Sequence, residues 1–371
     1  MKRLFAALMI WIWMLAPIAL ASEPLTVEAK AAVLIDADSG RVLFAQNADE
    51  RLPMASTTKI MTAILALENC ALDEMVTAGK NAYGVEGTSI YLSEGETLSM
   101  EHMLYGLMLR SGNDAAVAIA EHVAGSTDAF VEMMNAKARE LDADAVFANP
   151  HGLPAENHAA SALGMAKIMR YAMTIPEFRT ITATTRKVIP WVGNEYSRVL
   201  ENKNRLLTTY EGATGGKTGY TSKAGRCLVF SAERDGLSLI GVVLNCPTWF
   251  DTAETLLDYG FEHFRAETAL TEGQPAGSAS LRNGMTGTVP VITGGSLSAA
   301  IAYDAPYTIH YEYAELTAPI RKGDVVGVAR MESRGEVVAT CPLLAAADVH
   351  ARSFWELLRA VLHQWIAPYM A

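Results

Sequence analysis

The chain has 371 residues, half of them hydrophobic and 19% charged. That composition excludes a disordered protein and asks for one large globular domain with a smaller companion. The formal net charge of −11 excludes a global basic field of the kind that holds nucleic acid, and no Lys/Arg-rich run is present to hold anionic lipid headgroups.

At the N-terminus, Lys2 and Arg3 precede an apolar run from Leu4 to Leu20, followed by the small-x-small triplet Ala19-Leu20-Ala21. This reads as a secretory signal over residues 1–21 with cleavage after Ala21. The run is near the minimum length of a membrane span, so an uncleaved anchor is the competing reading; Pro17 and the cleavage triplet favour removal. Loss of Lys2 and Arg3 takes the formal charge from −11 to about −13.

Ala31 to Asp36 and Arg41 to Ala45 read as two strands turning at Asp38-Ser39-Gly40. Thr57 to Glu68 is a helical run that opens at Ser56, and Ser99 to Leu109 and Asp114 to Ala124 are two more helices joined through Ser111-Gly112-Asn113. Asp128 to Leu141 and Ala162 to Met173 continue the helical pattern, and from Ile181 the character changes to strands. Arg226 to Ala232 and Leu237 to Leu244 form a hairpin about an Asp-Gly turn, and Thr252 to Phe264 closes the segment as a helix. Helices set between an early strand pair and later strands imply an α+β catalytic domain over residues 22–265, its sheet built from both ends of the segment. Residues 266–349, rich in Gly, Thr, Ser and Val with short alternating runs, read as a small all-β domain.

In the final segment, residues 350–371, Ser353 to Ile366 is helical, with Phe354, Leu358, Val361, Leu362 and Trp365 on one face. It is too short to cross a bilayer; the pattern fits equally a helix lying in the membrane interface and one docked on the protein's own core. Four cysteines are too few in so long a chain for a disulfide framework. Cys227 and Cys246 fall on adjacent expected strands, so a pair stays open beside the reading as small buried hydrophobes.

Ser56-Thr57-Thr58-Lys59 carries the chemistry. At the start of a helix, positions i and i+3 share a face, so the Lys59 amine reaches the Ser56 hydroxyl. A serine hydroxyl needs a neighbouring base, and a lysine becomes one when burial or nearby cations depress its pKa. Alone, Ser-x-x-Lys is a weak signal. Ser111-Gly112-Asn113 adds two polar side chains on an interhelical turn that can enter a cleft. Thr214-Gly215-Gly216-Lys217-Thr218-Gly219 opens an expected strand, where the glycines admit a substrate backbone and Lys217 offers a cation to a terminal carboxylate.

These three elements, in this order, together with Asp36 to Ala63, Asn149-Pro150-His151-Gly152-Leu153 and Asp258-Tyr259-Gly260-Phe261, resemble the D-alanyl-D-alanine carboxypeptidases among the low-molecular-mass penicillin-binding proteins. The resemblance spans residues 31–265 and is looser over the β domain. It implies a β-lactamase/transpeptidase-like fold, an antiparallel sheet with a helical subdomain, and an acyl-enzyme on Ser56 that releases the terminal D-alanine of peptidoglycan stem peptides. Lys59 is then the base and Ser111 the proton relay, and Asn113 holds the substrate amide. Lys217 with Thr218 and Gly219 binds the carboxylate, and the Ser56 and Tyr220 backbone N–H groups form the oxyanion hole. The resemblance further implies covalent inhibition by β-lactams and attachment of the last helix to the outer face of the cytoplasmic membrane.

Two departures stand out. Gly164 occupies a position where the family's pattern leads one to expect Asp, and Thr248 to Thr255 lacks the Arg that some relatives use on the carboxylate. A β-lactamase needs a deacylating Glu, and Glu156 sits in the wrong surroundings for one. Transpeptidation or endopeptidation by the same site, and a catalytically idle penicillin-binding sensor, remain competing readings. The eight histidines form no His-Glu-x-x-His spacing, no Cys-x-x-Cys occurs, and His151 and His158 read as loop structure, so no metal or cofactor is expected.

Overall fold

The structure, a computed structural model, describes residues 25–356 with Leu358 and Leu362. The signal expected over 1–21 lies outside the described residues, as does most of the helix expected over 353–366.

The continuous apolar run of β1 (Ala31–Asp36) is buried at every residue, as a strand covered on both faces must be. It pairs antiparallel with β2 (Val42–Gln46) on one side and, across about two hundred residues of intervening chain, with the last strand of a later hairpin on the other. Between them come three two-stranded ribbons, β3 (Met75–Thr77) with β4 (Thr97–Ser99), β5 (Ala145–Val146) with β6 (Ala159–Ala160), and β7 (Arg186–Ile189) with β8 (Arg198–Glu201). Strands β9 (Ala213–Thr221), β10 (Gly225–Arg234) and β11 (Leu237–Leu244) complete a five-stranded antiparallel sheet in the order β2-β1-β11-β10-β9. The sheet is built from both ends of the segment, as the sequence pattern required.

The two-residue period of the strands divides the core. Val33, Ile35, Val229, Ile240 and Val242 face a helical layer that contains Lys59–Asn69, Met100–Leu109, Asn113–Ala124 and Ala162–Ala172. Ala32, Leu34, Leu228, Phe230 and Val243 face the helix Trp249–His263 through Phe250, Leu256 and Leu257. The same division separates two cysteines: Cys227 belongs to the first core and Cys246 to the second, and both are free, so they do not pair.

One expected boundary moves. The strand character read from Ile181 onward begins only at Arg186, because Pro176–Ala183 forms a helix with Pro at its first turn and Phe178 and Ile181 buried at i, i+3 spacing.

The remaining strands, β12 (Phe264–Leu270), β13 (Pro275–Arg282), β14 (Thr288–Thr293), β15 (Leu297–Ala302), β16 (Tyr307–Tyr313), β17 (Leu316–Thr317), β18 (Val325–Ser333) and β19 (Glu336–Ala345), form the all-β part. Six of them make a sheet in the order β16-β18-β19-β14-β13-β17, and β12 pairs with β15. The Asp36 carboxylate, buried at the end of β1, accepts from the Ala300 N–H at 2.9 Å, and Arg41 donates to the Ala300 carbonyl at 2.8 Å. These two bonds tie β15 to the catalytic sheet.

Gly164 sits in the first turn of the helix Ala162–Ala172, where its N–H is capped by the Ser161 hydroxyl at 2.9 Å. A Cβ there would lie 2.6 Å from the Asp144 carbonyl oxygen and 2.8 Å from the Asp144 nitrogen, both backbone. The Asp expected here by resemblance has no room. Gly164→Asp is expected to lower the unfolding free energy by about 3 kcal/mol, the upper part of the range for overpacking a rigid interior, read from the urea midpoint.

Candidate active site

Ser56 lies in a short 3₁₀ turn, Ala55–Thr58, that runs into the helix beginning at Lys59. The i, i+3 relation expected of a single helix is therefore made across this junction, with the Lys59 Nζ 3.0 Å from the Ser56 Oγ. Ala55 has a φ of 49°, a left-handed conformation unusual for a residue with a side chain, immediately before the serine.

The Lys59 amine is wholly buried and has two further partners, the Asn113 Oδ1 at 2.7 Å and the His151 carbonyl at 2.5 Å. Its pKa is held well below the ordinary lysine range, first by burial and then by the charges of Lys217 and Lys203, with Asp114 opposing. A neutral amine has two N–H donors and one lone pair. With Asn113 and His151 taking the donors, the lone pair falls to the Ser56 hydroxyl, the arrangement a general base requires.

Ser111-Gly112-Asn113 reaches the same place from the interhelical turn. Ser111 has a φ of 63°, and its hydroxyl is buried with no hydrogen-bond partner. Asn113 donates its side-chain amide to the Glu86 carbonyl at 2.6 Å and its backbone N–H to the Thr88 carbonyl at 2.7 Å. The next residue, Asp114, accepts from the Ile90 and Leu92 N–H groups at 3.1 and 3.0 Å and from the Ser89 hydroxyl at 2.6 Å. These bonds on one buried carboxylate fix the loop that forms one wall of the cleft.

The opposite wall is β9. Lys217 is buried, its amine turned to the Thr218 carbonyl at 3.0 Å, and burial followed by the Lys203 charge brings its pKa down to about 7. The glycines divide their tasks differently from the sequence reading. Gly215 and Gly216 make room for protein rather than substrate, since added Cβ atoms would meet Thr182 at 2.3 Å and the Val229 carbonyl at 2.2 Å. Gly219 alone of these three borders Ser56, its added Cβ 2.9 Å from the Ser56 nitrogen. Ser56, Ser111, Asn113, Thr218, Gly219 and Tyr220 thus line one cleft of about 330 Å³, with Lys203 and Trp249 at its edge.

Three contributors were given no place in the site by the sequence, although His151 and Gly152 lie in the Asn149–Leu153 segment. His151 acts through its backbone carbonyl, which no side-chain pattern can reveal. Gly152, with a φ of 92°, packs so closely that a Cβ would sit 2.0 Å from the Ala55 carbonyl oxygen. Lys203 is presented by its neighbours: Asn202 bonds the Thr184 carbonyl at 3.0 Å and Asn204 the Gly215 carbonyl at 3.3 Å. The Asn-Lys-Asn triplet was the available signal. His158 is structural, as expected: its Nδ1 accepts from the Ala148 N–H at 2.9 Å, so its Nε2–H donates to the Thr58 hydroxyl at 2.8 Å. Burial holds His158 down to about 4 and His151 to about 3, so neither titrates near neutrality. Glu156 is exposed and away from the cleft lining.

Residues 18–248 match the family model for D-alanyl-D-alanine carboxypeptidase, and residues 264–351 match the C-terminal domain of penicillin-binding protein 5. The chain belongs to the D-alanyl-D-alanine carboxypeptidase family. The D-alanyl-D-alanine carboxypeptidase DacF of Bacillus subtilis (strain 168) is 33% identical over 389 residues, covering 98% of this chain and 99% of that protein. DacC of Escherichia coli (strain K12), of the same description, is 32% identical, covering 97% and 96%. Among solved structures, penicillin binding protein 5 from Haemophilus influenzae superposes with a TM-score of 0.78 at 30% identity, covering 89% of this chain and all of that one. Both the catalytic fold and the following all-β domain are those of this family.

With Lys217 held near 7, the cation is present below that pH and lost above it. Binding of a carboxylate-bearing β-lactam to Ser56→Ala protein, followed by calorimetry, is expected to weaken above pH 7 by up to about tenfold per pH unit. An affinity flat across that range would mean that Lys217 does not meet the carboxylate.

Proposed function

We propose that the protein is a serine-type D-Ala-D-Ala carboxypeptidase that removes the terminal D-alanine from peptidoglycan stem pentapeptides, with the following assignment of roles. Ser56 attacks the carbonyl between the two D-alanines as Lys59 takes its proton. The tetrahedral oxyanion lies against the backbone N–H groups of Ser56 and Tyr220. Lys59 returns the proton through Ser111 to the departing amine, the C–N bond breaks, and D-alanine leaves an ester on Ser56. Water, deprotonated by Lys59, hydrolyses that ester.

Asn113 orients Lys59 and receives the substrate amide, and Lys217 with Thr218 and Gly219 holds the terminal carboxylate. The observation that carries this reading is the Lys59 amine, its two donors taken by Asn113 and the His151 carbonyl and its third position facing Ser56. The unpartnered buried hydroxyl of Ser111 supports the relay, because an unsatisfied group there has a use once a leaving amine arrives. β-Lactams, which present a strained amide and a carboxylate to the same groups, acylate Ser56.

Lys203 lies at the cleft edge and adds positive potential where the sequence lacks an Arg over residues 248–255. We take the catalytic unit as residues 22–265 and the β unit as 266–349. The signal read at 1–21 directs export, so the enzyme works outside the cytoplasm where its substrate is. Among the described residues no helix is long and apolar enough to cross a membrane. The exposed Phe354, Trp355, Leu358 and Leu362 support peripheral attachment of the last helix to the membrane's outer face.

Mass spectrometry of stem pentapeptides incubated with the mature protein is expected to find loss of one D-alanine. Ser56→Ala abolishes both this and penicillin labelling, and Lys59→Ala slows acylation at least about 100-fold. Covalent labelling at Ser56 without D-alanine release would instead make the chain a penicillin-binding sensor. Deleting residues beyond 350 is expected to move active enzyme from the membrane fraction to the soluble one, and retention in the membrane would locate the anchor elsewhere.

A further inference from the structure

The helix Lys59–Asn69 begins at the active site and ends roughly 16 Å away, at its C-cap Cys70. The helix Asn113–Ala124 likewise begins at the active site, and His122 lies in its last turn. Their first residues are joined by the 2.7 Å bond from Lys59 to Asn113, and their far ends meet around Glu74. There the Cys70 thiol, a Glu74 carboxylate oxygen and a His122 ring nitrogen all lie within 4.8 Å of one another. His122 Nε2 is 2.8 Å from Glu74 Oε1.

We propose that Cys70, Glu74 and His122 form a zinc-binding site that clamps the C-terminal ends of the two helices whose N-terminal ends carry Lys59 and Asn113. Thiolate, imidazole and carboxylate together are the donor set of a borderline-soft divalent ion, and three protein ligands leave a fourth position for water. Donors 2.0–2.3 Å from a tetrahedral ion stand roughly 3.3–3.8 Å apart, so closing from the present spacing takes about 1 Å of side-chain movement.

The backbone around the site is fixed. The Cys70 N–H bonds the Ala66 carbonyl at 3.0 Å, the Glu74 N–H bonds the Ala71 carbonyl at 3.2 Å, and the Glu74 carbonyl accepts from Met100 at 2.8 Å. The site also lies at two helix C-termini, where the aligned peptide dipoles favour a cation. The Cys70 thiol is half-exposed, unlike the buried Cys227, Cys246 and Cys341, so an ion reaches it from solvent. Burial and the Glu74 charge raise its pKa, so the thiol carries its proton until zinc displaces that proton to solvent and the Zn–S bond forms. No sequence motif announces the site, because its donors come from a helix cap, a turn and a second helix.

The test uses the full protein without a histidine tag, stripped by chelator and then titrated with Zn²⁺ or Co²⁺. One ion per chain is expected, with a thiolate-to-cobalt charge-transfer band in the near ultraviolet. Zinc is expected to slow alkylation of Cys70 at least about tenfold and to raise the thermal midpoint by a few degrees. Cys70→Ser, Glu74→Gln and His122→Ala should each weaken binding at least about tenfold. His310→Ala, which removes a His–Glu pair that lacks a thiol, should leave it unchanged. Absence of stoichiometric binding at micromolar zinc, a cobalt spectrum without the thiolate band, or binding that survives both Cys70→Ser and His122→Ala would overturn the proposal.

Discussion

A lysine amine buried among a serine hydroxyl, an asparagine amide and a backbone carbonyl is the constraint around which this protein is arranged. Lys59 can serve as a base only if it is kept from water, and keeping it from water requires partners for its N–H groups. Those partners come from distant stretches of chain. Asn113 enters from an interhelical turn braced by the Asp114 carboxylate, and His151 from a loop held by Asn149, whose side chain accepts from the Gly152 N–H at 2.7 Å. Gly152 then presses on the Ala55 carbonyl, beside Ser56. The positive φ at Ala55 and Ser111, uncommon for residues with side chains, marks where the chain accepts strain to bring hydroxyls into one cleft.

The sheet supplies rigidity for the opposite wall. β9 is an edge strand, paired only through β10, and its free side borders Ser56. Thr182 stiffens it from the helix Pro176–Ala183, accepting from the Gly216 N–H at 2.9 Å and donating to the Gly216 carbonyl at 3.1 Å. Both require glycine, since side chains at 215 or 216 would occupy the space of Thr182 or of the Val229 carbonyl. Farther from the chemistry, the Asp36 carboxylate closes the β1 turn through the Asp38 and Ser39 N–H groups and also holds Ala300. One buried charge therefore organises a catalytic-domain hairpin and its contact with the β domain.

Much of this was legible in the chain. Continuous apolar runs bounded by turn residues placed β1, β10 and β11, and an Asp-Gly turn placed the β10–β11 hairpin. Ser56, Lys59, Ser111, Asn113 and Lys217 were identifiable because their chemistry lies in side chains at fixed local spacings. Where local reading failed, the cause was non-local. Ile181 looked like the start of strand character because its β-branched neighbours conceal a helix that Pro176 initiates and burial of Phe178 completes. Cys227 and Cys246 looked pairable because both were read as lying on adjacent strands, yet Cys246 follows the end of β11 and packs in the core on the other side of the sheet from Cys227.

The sequence by itself determined the fold class and the order of the elements and singled out Ser56 and Lys59 as the pair to look for, since these follow from apolar patterning, turn residues and short-range spacing. Only the tertiary structure decided that a backbone carbonyl completes the lysine's shell and that two of three glycines serve packing. It alone decided that Lys203 edges the cleft and that a thiol, an imidazole and a carboxylate meet at the far ends of two catalytic helices. Those features depend on contacts between segments separated by tens of residues, and a carbonyl or a cavity has no signature in side-chain order.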